Sequence, residues 1–200
     1  MRKPFGHSDP DLLDTEAGLV ARAQTGDMAA FEQLASAHAD RLFAVLIRLL
    51  GDRAEAEDVA QEVMLRAWRG IRHFHGNSLF FTWLYRIAIN EANRSLEKTA
   101  RRPVKVPVDA DAFQVPAAAR DEPSRRLEQT ELRRALSLAL AALSPDYRTA
   151  ILLRDVEGLS TQEAAEVAGI GQAAFKSRLH QARLKVRAAI GDDALINASG

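Results

Sequence analysis

The segment FFTWLYRIAIN (80–90) sets four of the chain's twelve aromatic residues, Phe80, Phe81, Trp83 and Tyr85, within six positions. A helix continuing from it carries Arg86, Asn90, Asn93, Arg94, Glu97 and Arg101 within roughly 100° of arc. Rings beside a basic, amide-rich stripe suit single-stranded nucleic acid, because unstacked bases lie on aromatic faces while guanidinium groups hold phosphates. The same rings also make good core, and most of the four are expected there. The loop just before them, His73 to Leu79, with His75, Gly76 and Asn77, is placed to cup an extruded base.

A second segment reads duplex rather than single strand. Ser160 and Glu163 form a capping box after Gly158-Leu159, so a helix starts there. It stops at Gly169-Ile170-Gly171, and another begins at once, which is the helix-turn-helix pattern. On the second helix Phe175, Leu179, Ala182 and Val186 share one stripe, the buried one. Ala173, Lys176, Ser177, His180 and Gln181 lie opposite, near the N-terminal half, where short and hydrogen-bonding side chains fit a major groove. Arg178, Arg183 and Lys185 flank the stripe and reach phosphates. A solvated face of an α-hairpin gives the same pattern.

A third segment, DVAQEVMLRAW (58–68), points to a protein partner. Asp58, Gln61, Glu62, Leu65, Arg66 and Arg69 share one side, and Val59, Val63, Met64, Ala67 and Trp68 the other. An exposed Leu65 amid mixed charge suits docking with polar registration, although a stray surface leucine is common.

Catalysis finds no comparable support. His73 and His75 form an HxH pair without a third ligand at suggestive spacing, and the chain has no cysteine, so no metal site is expected. His38 falls on an apolar helical stripe and reads as a hydrogen-bonded core histidine. Gly169-Ile170-Gly171 has too few glycines, and no preceding strand, for a phosphate loop. No nucleophile triad or carboxylate pair stands out. A non-enzyme without catalytic residues or cofactors is expected.

These segments need helices to position them. Helical periodicity predicts Thr15–Gln24, then a helix capped by Gly26-Asp27 with Phe31, Leu34, His38, Leu42, Val45, Leu46 and Leu49 on one face. Gly51-Asp52 ends it and starts another, running to about Gly70, and a third long helix covers about Ser78 to Lys98. Further helices are expected at about 124–143, 145–156, 160–168 and 172–190. Four prolines between residues 100 and 123 break every period, so a linker is expected there. The predicted organisation is all-α. A tail (1–14) precedes a first helical bundle (15–99), and a flexible linker (100–123) leads to a second small bundle (124–191) and a tail (192–200).

Two hundred residues with 47% hydrophobic and 27% charged content suit globular domains. The net charge of zero hides blocks. Residues 1–62 hold 6 basic and 12 acidic side chains, 63–108 hold 9 and 2, 109–170 hold 7 and 11, and 171–200 hold 5 and 2. Each acidic block precedes a basic one, as in a chain that meets a polyanion twice. The start, MRKPFGHSDPDLLDTE, lacks the apolar stretch of a signal peptide, and the run Leu42–Ile47 is far short of a membrane span, so a soluble cytoplasmic protein is expected.

In combination these segments resemble the sigma-70 family, specifically its extracytoplasmic-function (ECF) group of bacterial RNA polymerase sigma factors. DVAQEVMLRAW and TWLYRIAIN resemble region 2, and residues 143–183 resemble region 4, with a variable linker between. The resemblance implies that Asp58, Gln61, Glu62, Leu65 and Arg66 bind the clamp helices of the polymerase β′ subunit. It implies −10 promoter contacts by His73, Asn77, Trp83, Arg86, Asn90 and Arg94, with a non-template base captured by the loop. Tyr85 also matches the aromatic-rich melting segment. Lys176, Ser177, His180 and Gln181 match positions facing the −35 element, and Arg178 and Arg183 match phosphate contacts. Region 4 would also dock on the β-subunit flap, the linker would thread toward the RNA exit path, and an anti-sigma factor is an implied partner. Gln172-Ala173-Ala174-Phe175 departs from the family's common Gly-Thr opening of the recognition helix, and Gln181 stands where a basic residue is common. A sigma-like adaptor that sequesters an anti-sigma factor is the alternative. A two-domain repressor or activator leaves the first bundle unexplained.

Overall fold

The computed structural model describes residues 10–76, 78–99 and 135–197, and every regular element among them is helical. The first unit comprises α1 (Pro10–Gln24), α2 (Met28–Leu50), α3 (Arg53–Gly70), a short 3-10 turn (Ile71–His73) and α4 (Phe80–Thr99). The second comprises α5 (135–141), α6 (Pro145–Ile151), a wide π turn (Leu152–Val156), α7 (Thr161–Val167) and α8 (Gln172–Asn197).

Local chemistry sets most of these boundaries. Asp27 caps α2 by accepting from the Ala30 N–H at 3.1 Å, and that bond, with Arg22 beside it, holds its carboxyl below the usual range. Gly51 ends α2 in the left-handed region, φ 75°, where its N–H donates to the Ile47 carbonyl. Asp52 then caps α3. The capping box read from Ser160 and Glu163 is present in both directions. α1 begins at Pro10 rather than Thr15, since proline suits a first helical position. α8 continues to Asn197, seven residues past the predicted end, because Gly191 alone does not stop a helix of otherwise compatible residues. The expected linker 100–123 lies outside the described residues, as do residues 1–9 and most of the helix expected at 124–143.

The core begins in α2, where Phe31, Leu34, Leu42, Val45, Leu46 and Leu49 are buried as their spacing predicts. In the second unit Phe175, Leu179 and Ala182 are buried on α8, against Leu152, Leu153, Ala164 and Ala165. These buried residues form one continuous cluster across both units, so the two bundles pack on each other.

Their joint is polar at its centre. The π turn replaces the last turn of the helix expected over 145–156; its Glu157 N–H donates to the Leu152 carbonyl five residues back. The Glu157 side chain is only 6% exposed and takes Arg41 Nε at 2.6 Å. It also accepts from the Tyr85 hydroxyl at 3.0 Å, and Arg48 lies 3.9 Å away. Burial, and then the neighbouring carboxylate, push the Tyr85 hydroxyl far above its ordinary range. Arg148 donates to the carbonyls of Leu140, Ala141 and Leu143 in its own unit and to Leu49 of the other. Its guanidinium thereby satisfies carbonyls at the end of α5 that a helix leaves without partners.

Candidate nucleic-acid and partner interface

α3 buries Val59, Val63 and Ala67 and thereby turns Asp58, Gln61, Leu65 and Arg66 outward, with Glu62 half-exposed. Leu65 is 50% exposed. Gln61 and Leu65 border an apolar groove of ≈ 830 Å³ between α2 and α3, floored by Phe31, Phe43, Met64 and Trp68. Phe31 and Trp68, with ring centres 5.2 Å apart and planes inclined at 56°, form part of that floor.

On the other side of α3 lies a cleft of ≈ 580 Å³ lined by Glu62, Arg66, Arg69, His73, Trp83, Asn90, Glu91 and Arg94. It brings together two sets that the sequence separated, since Glu62, Arg66 and Arg69 were read on the face for a protein partner and His73, Trp83, Asn90 and Arg94 were expected to serve DNA. Trp83 is half-buried, against Phe74 at 5.3 Å and Phe80 at 5.6 Å, and one edge packs on Gly70, where a Cβ would lie 3.2 Å from its ring. Phe80, Phe81 and Tyr85 are core, as expected for most of the four rings. The Tyr85 match to a melting segment therefore does not give an accessible ring, because its hydroxyl is spent on Glu157. Arg86 is exposed on α4 but does not line the cleft. Asn77 lies outside the described residues.

The loop before α4 is fixed to α1 by Gln24, whose amide donates to the Phe74 carbonyl at 2.6 Å. A smaller hollow of ≈ 310 Å³ between α1 and the loop is lined by His75, Gly76, Ser78 and Leu79 among others. His38 is half-buried against Phe80 and Phe81, with the Glu16 carboxylate 3.6 Å away. Among the described residues no group of three His, Cys, Asp or Glu side chains could hold a metal ion.

In the second unit Lys176, Ser177, His180 and Gln181 are exposed on the N-terminal half of α8. Gly169, φ 67°, makes the tight turn that swings α8 away from α7. The two flanking arginines are engaged within the protein. Arg178 pairs with Asp146 at 3.2 Å, and Arg183 Nε donates to Asp155 at 3.0 Å with a second bond beside it. That pairing raises the Arg183 guanidinium above its ordinary range. Phosphate contact by either would compete with an aspartate.

Comparison with known proteins identifies the arrangement. Residues 34–102 match Sigma-70 region 2, and residues 133–186 match Sigma-70 region 4. The RNA polymerase sigma-H factor of Pseudomonas aeruginosa is 38% identical over 170 residues, covering 82% of this chain and 88% of that protein. The chain belongs to the sigma-70 family, in its ECF group. The ECF RNA polymerase sigma-E factor of Haemophilus influenzae is 37% identical over 174 residues, covering 84% of this chain and 92% of the relative. In structure, the sigma factor RpoE of Bartonella quintana, solved in complex with the anti-sigma factor NepR, aligns with a TM-score of 0.62 at 25% identity. That alignment covers 80% of this chain and 96% of RpoE. In this ECF sigma factor the region 2 match takes in the cleft and most of the groove, leaving out Met28, Phe31 and Glu32 at one end, and the region 4 match takes in the exposed half of α8.

Sequence reasoning missed two glutamates. Glu91 is 9% exposed overall and holds Arg94 and Arg66 at the cleft. It follows Leu84 by seven residues and Ala88 by three, on the apolar stripe of α4, so a charge on that stripe was the available signal. Glu157 had no such signal, because the π turn that turns it inward leaves no mark in hydrophobic spacing.

Proposed function

We propose that this sigma factor joins core RNA polymerase through the α3 face, with Asp58, Gln61, Glu62, Leu65 and Arg66 on the β′ clamp helices. Asn90 and Arg94, with His73, Trp83 and Arg86 nearby and Asn77 in the loop, contact the −10 element and hold its melted strand. Lys176, Ser177, His180 and Gln181 read the −35 element, and Arg178 and Arg183 exchange their aspartates for phosphates there. The second unit also docks on the β flap. The subunit supplies specificity and carries no chemistry of its own, and it works in the cytoplasm. No helix among the described residues is long and apolar enough to cross a membrane. An anti-sigma factor holds it inactive, as the complex of the Bartonella relative suggests.

The observation that carries this reading is the opposition on α3: an exposed leucine over an apolar groove on one side, and an amide- and arginine-lined cleft on the other. Purified protein plus core polymerase, and neither alone, is expected to give transcripts with defined starts. Leu65→Arg is expected to lower holoenzyme assembly at least tenfold while leaving the helical circular-dichroism spectrum unchanged. Equal initiation with and without the protein overturns the reading.

A further inference from the structure

The Glu91 side chain is 10% exposed, whereas those of its partners Arg66 and Arg94 are 43% and 56% exposed. One oxygen, Oε1, accepts from Arg94 Nη1 at 2.7 Å and lies 3.1 Å from Arg66 Nε. Arg66 has a nearer acceptor, Glu62 Oε1, at 2.7 Å. The four side chains form an alternating row, Glu62, Arg66, Glu91, Arg94, which crosses from α3 to α4 along the cleft. Because one oxygen serves two cations, a stronger hold on one weakens its hold on the other.

We propose that Glu91 is a positioning residue that couples docking of a protein partner at Glu62 to DNA contact by Arg94. It rests on the DNA-contact role given to Arg94 above. While Glu62 holds Arg66, Glu91 is left to Arg94, where it occupies the guanidinium and repels phosphate. A cationic group of the docking partner that takes Glu62 releases Arg66 toward Glu91, and Arg94 is freed for the DNA backbone. By linkage, a phosphate on Arg94 favours capture of Glu62 to the same degree. Free protein is thereby held weak toward DNA, and the weakness lifts on assembly.

The test is a double-mutant cycle on the full chain, read as fluorescence anisotropy of a fluorescein-labelled 20-nucleotide homothymidine strand across salt concentrations. Glu91→Gln is expected to tighten binding about fivefold and to steepen the log–log salt slope by about 0.7, the value for one freed phosphate contact on single strands. Glu62→Gln, which imitates capture of that carboxylate, is expected to tighten binding about threefold in the native background and not at all beside Glu91→Gln. Glu97→Gln, an exposed charge on the same helix, controls for general electrostatics, and its gain should persist in both backgrounds. Equal gains from Glu62→Gln with and without Glu91, or an unchanged slope in Glu91→Gln, overturn the coupling. If thermal melts show Glu91→Gln unfolded, Glu91→Asp replaces it: it keeps the charge but shortens its reach, so it should tighten binding less than about fivefold while still abolishing the gain from Glu62→Gln. The native preparation is also assayed for transcription with core polymerase. Transcription with an additive cycle overturns the coupling alone, whereas no transcription overturns the sigma-factor reading with it.

Discussion

Glu91 and Glu157 are both nearly enclosed carboxylates that gather two arginines, yet they sit in different surroundings. Glu91 joins α3 to α4 within one unit, and its arginines face an open cleft. Glu157 joins the two units. Arg41 grips both its carboxylate and its carbonyl, lies over the Phe81 ring at 4.4 Å, and shares the site with the Tyr85 hydroxyl and with Arg48, whose side chain is 17% exposed. An acid whose cations stay in water is exchangeable, because each pair gains little and the cations can leave for other anions. One that also holds an enclosed hydroxyl and a largely enclosed guanidinium is structural: Arg41 is 51% exposed and could return to water, but loss of Glu157 strands the Tyr85 hydroxyl and the Arg48 charge away from it. The contrast assigns recognition to the first glutamate and architecture to the second.

The largest effect expected at the joint comes from Arg148, which serves the carbonyls of α5 and of Leu49 together and whose guanidinium is lowered by burial. Arg148→Met removes all of those bonds at once and should lower unfolding free energy by about 3–5 kcal/mol, with a larger radius of gyration in small-angle scattering as the units separate. A loss under about 1 kcal/mol would show that the joint is held by its apolar contacts alone. Next in size, Glu157→Gln should cost about 2–3 kcal/mol in urea unfolding, while Glu91→Gln should cost no more than about 1 kcal/mol. Equal costs would erase the distinction between the two acids.

The sequence made the helices legible because their signals are local. Asp27, Asp52 and Ser160 announce their caps, Gly51 and Gly169 their turns, and the α2 stripe its burial, all within a few residues of chain. The outward set on α3 was legible for the same reason, since Val59, Val63 and Ala67 fix which way Leu65 faces. What escaped depends on distance in the chain. Arg41 and Glu157 are 116 positions apart, and no spacing rule links them. The pairing of Arg183 with Asp155 likewise needs α8 and the π turn to meet, so a flanking arginine that reads as free for phosphate is engaged in the folded chain. The first helix started earlier than read because Pro10 can open a helix, and the last ran on because Gly191 alone is a weak stop.

The smallest of these effects bears on the edge of the joint. His38 lies on α2, packed on Phe80 and Phe81 of α4 and facing Glu16 of α1. Burial lowers its imidazole below the ordinary histidine range, and nearby Arg41 adds to the lowering, while Glu16 opposes both. The unfolded chain therefore binds this proton more readily than the folded one. The stabilising contribution is complete above about pH 6.5, the ordinary histidine value, and is lost as pH falls through the lowered value in the fold. Melting temperature should decline on acidification across that window, and His38→Leu should flatten the decline. Because protonated His38 sets a second cation near Arg41, which grips Glu157, acid should also loosen the joint. Small-angle scattering on the acid side should then show expansion in the native chain and less of it in His38→Leu. Parallel acid profiles for the two proteins would place the pH response elsewhere and leave the Glu157 joint indifferent to protons.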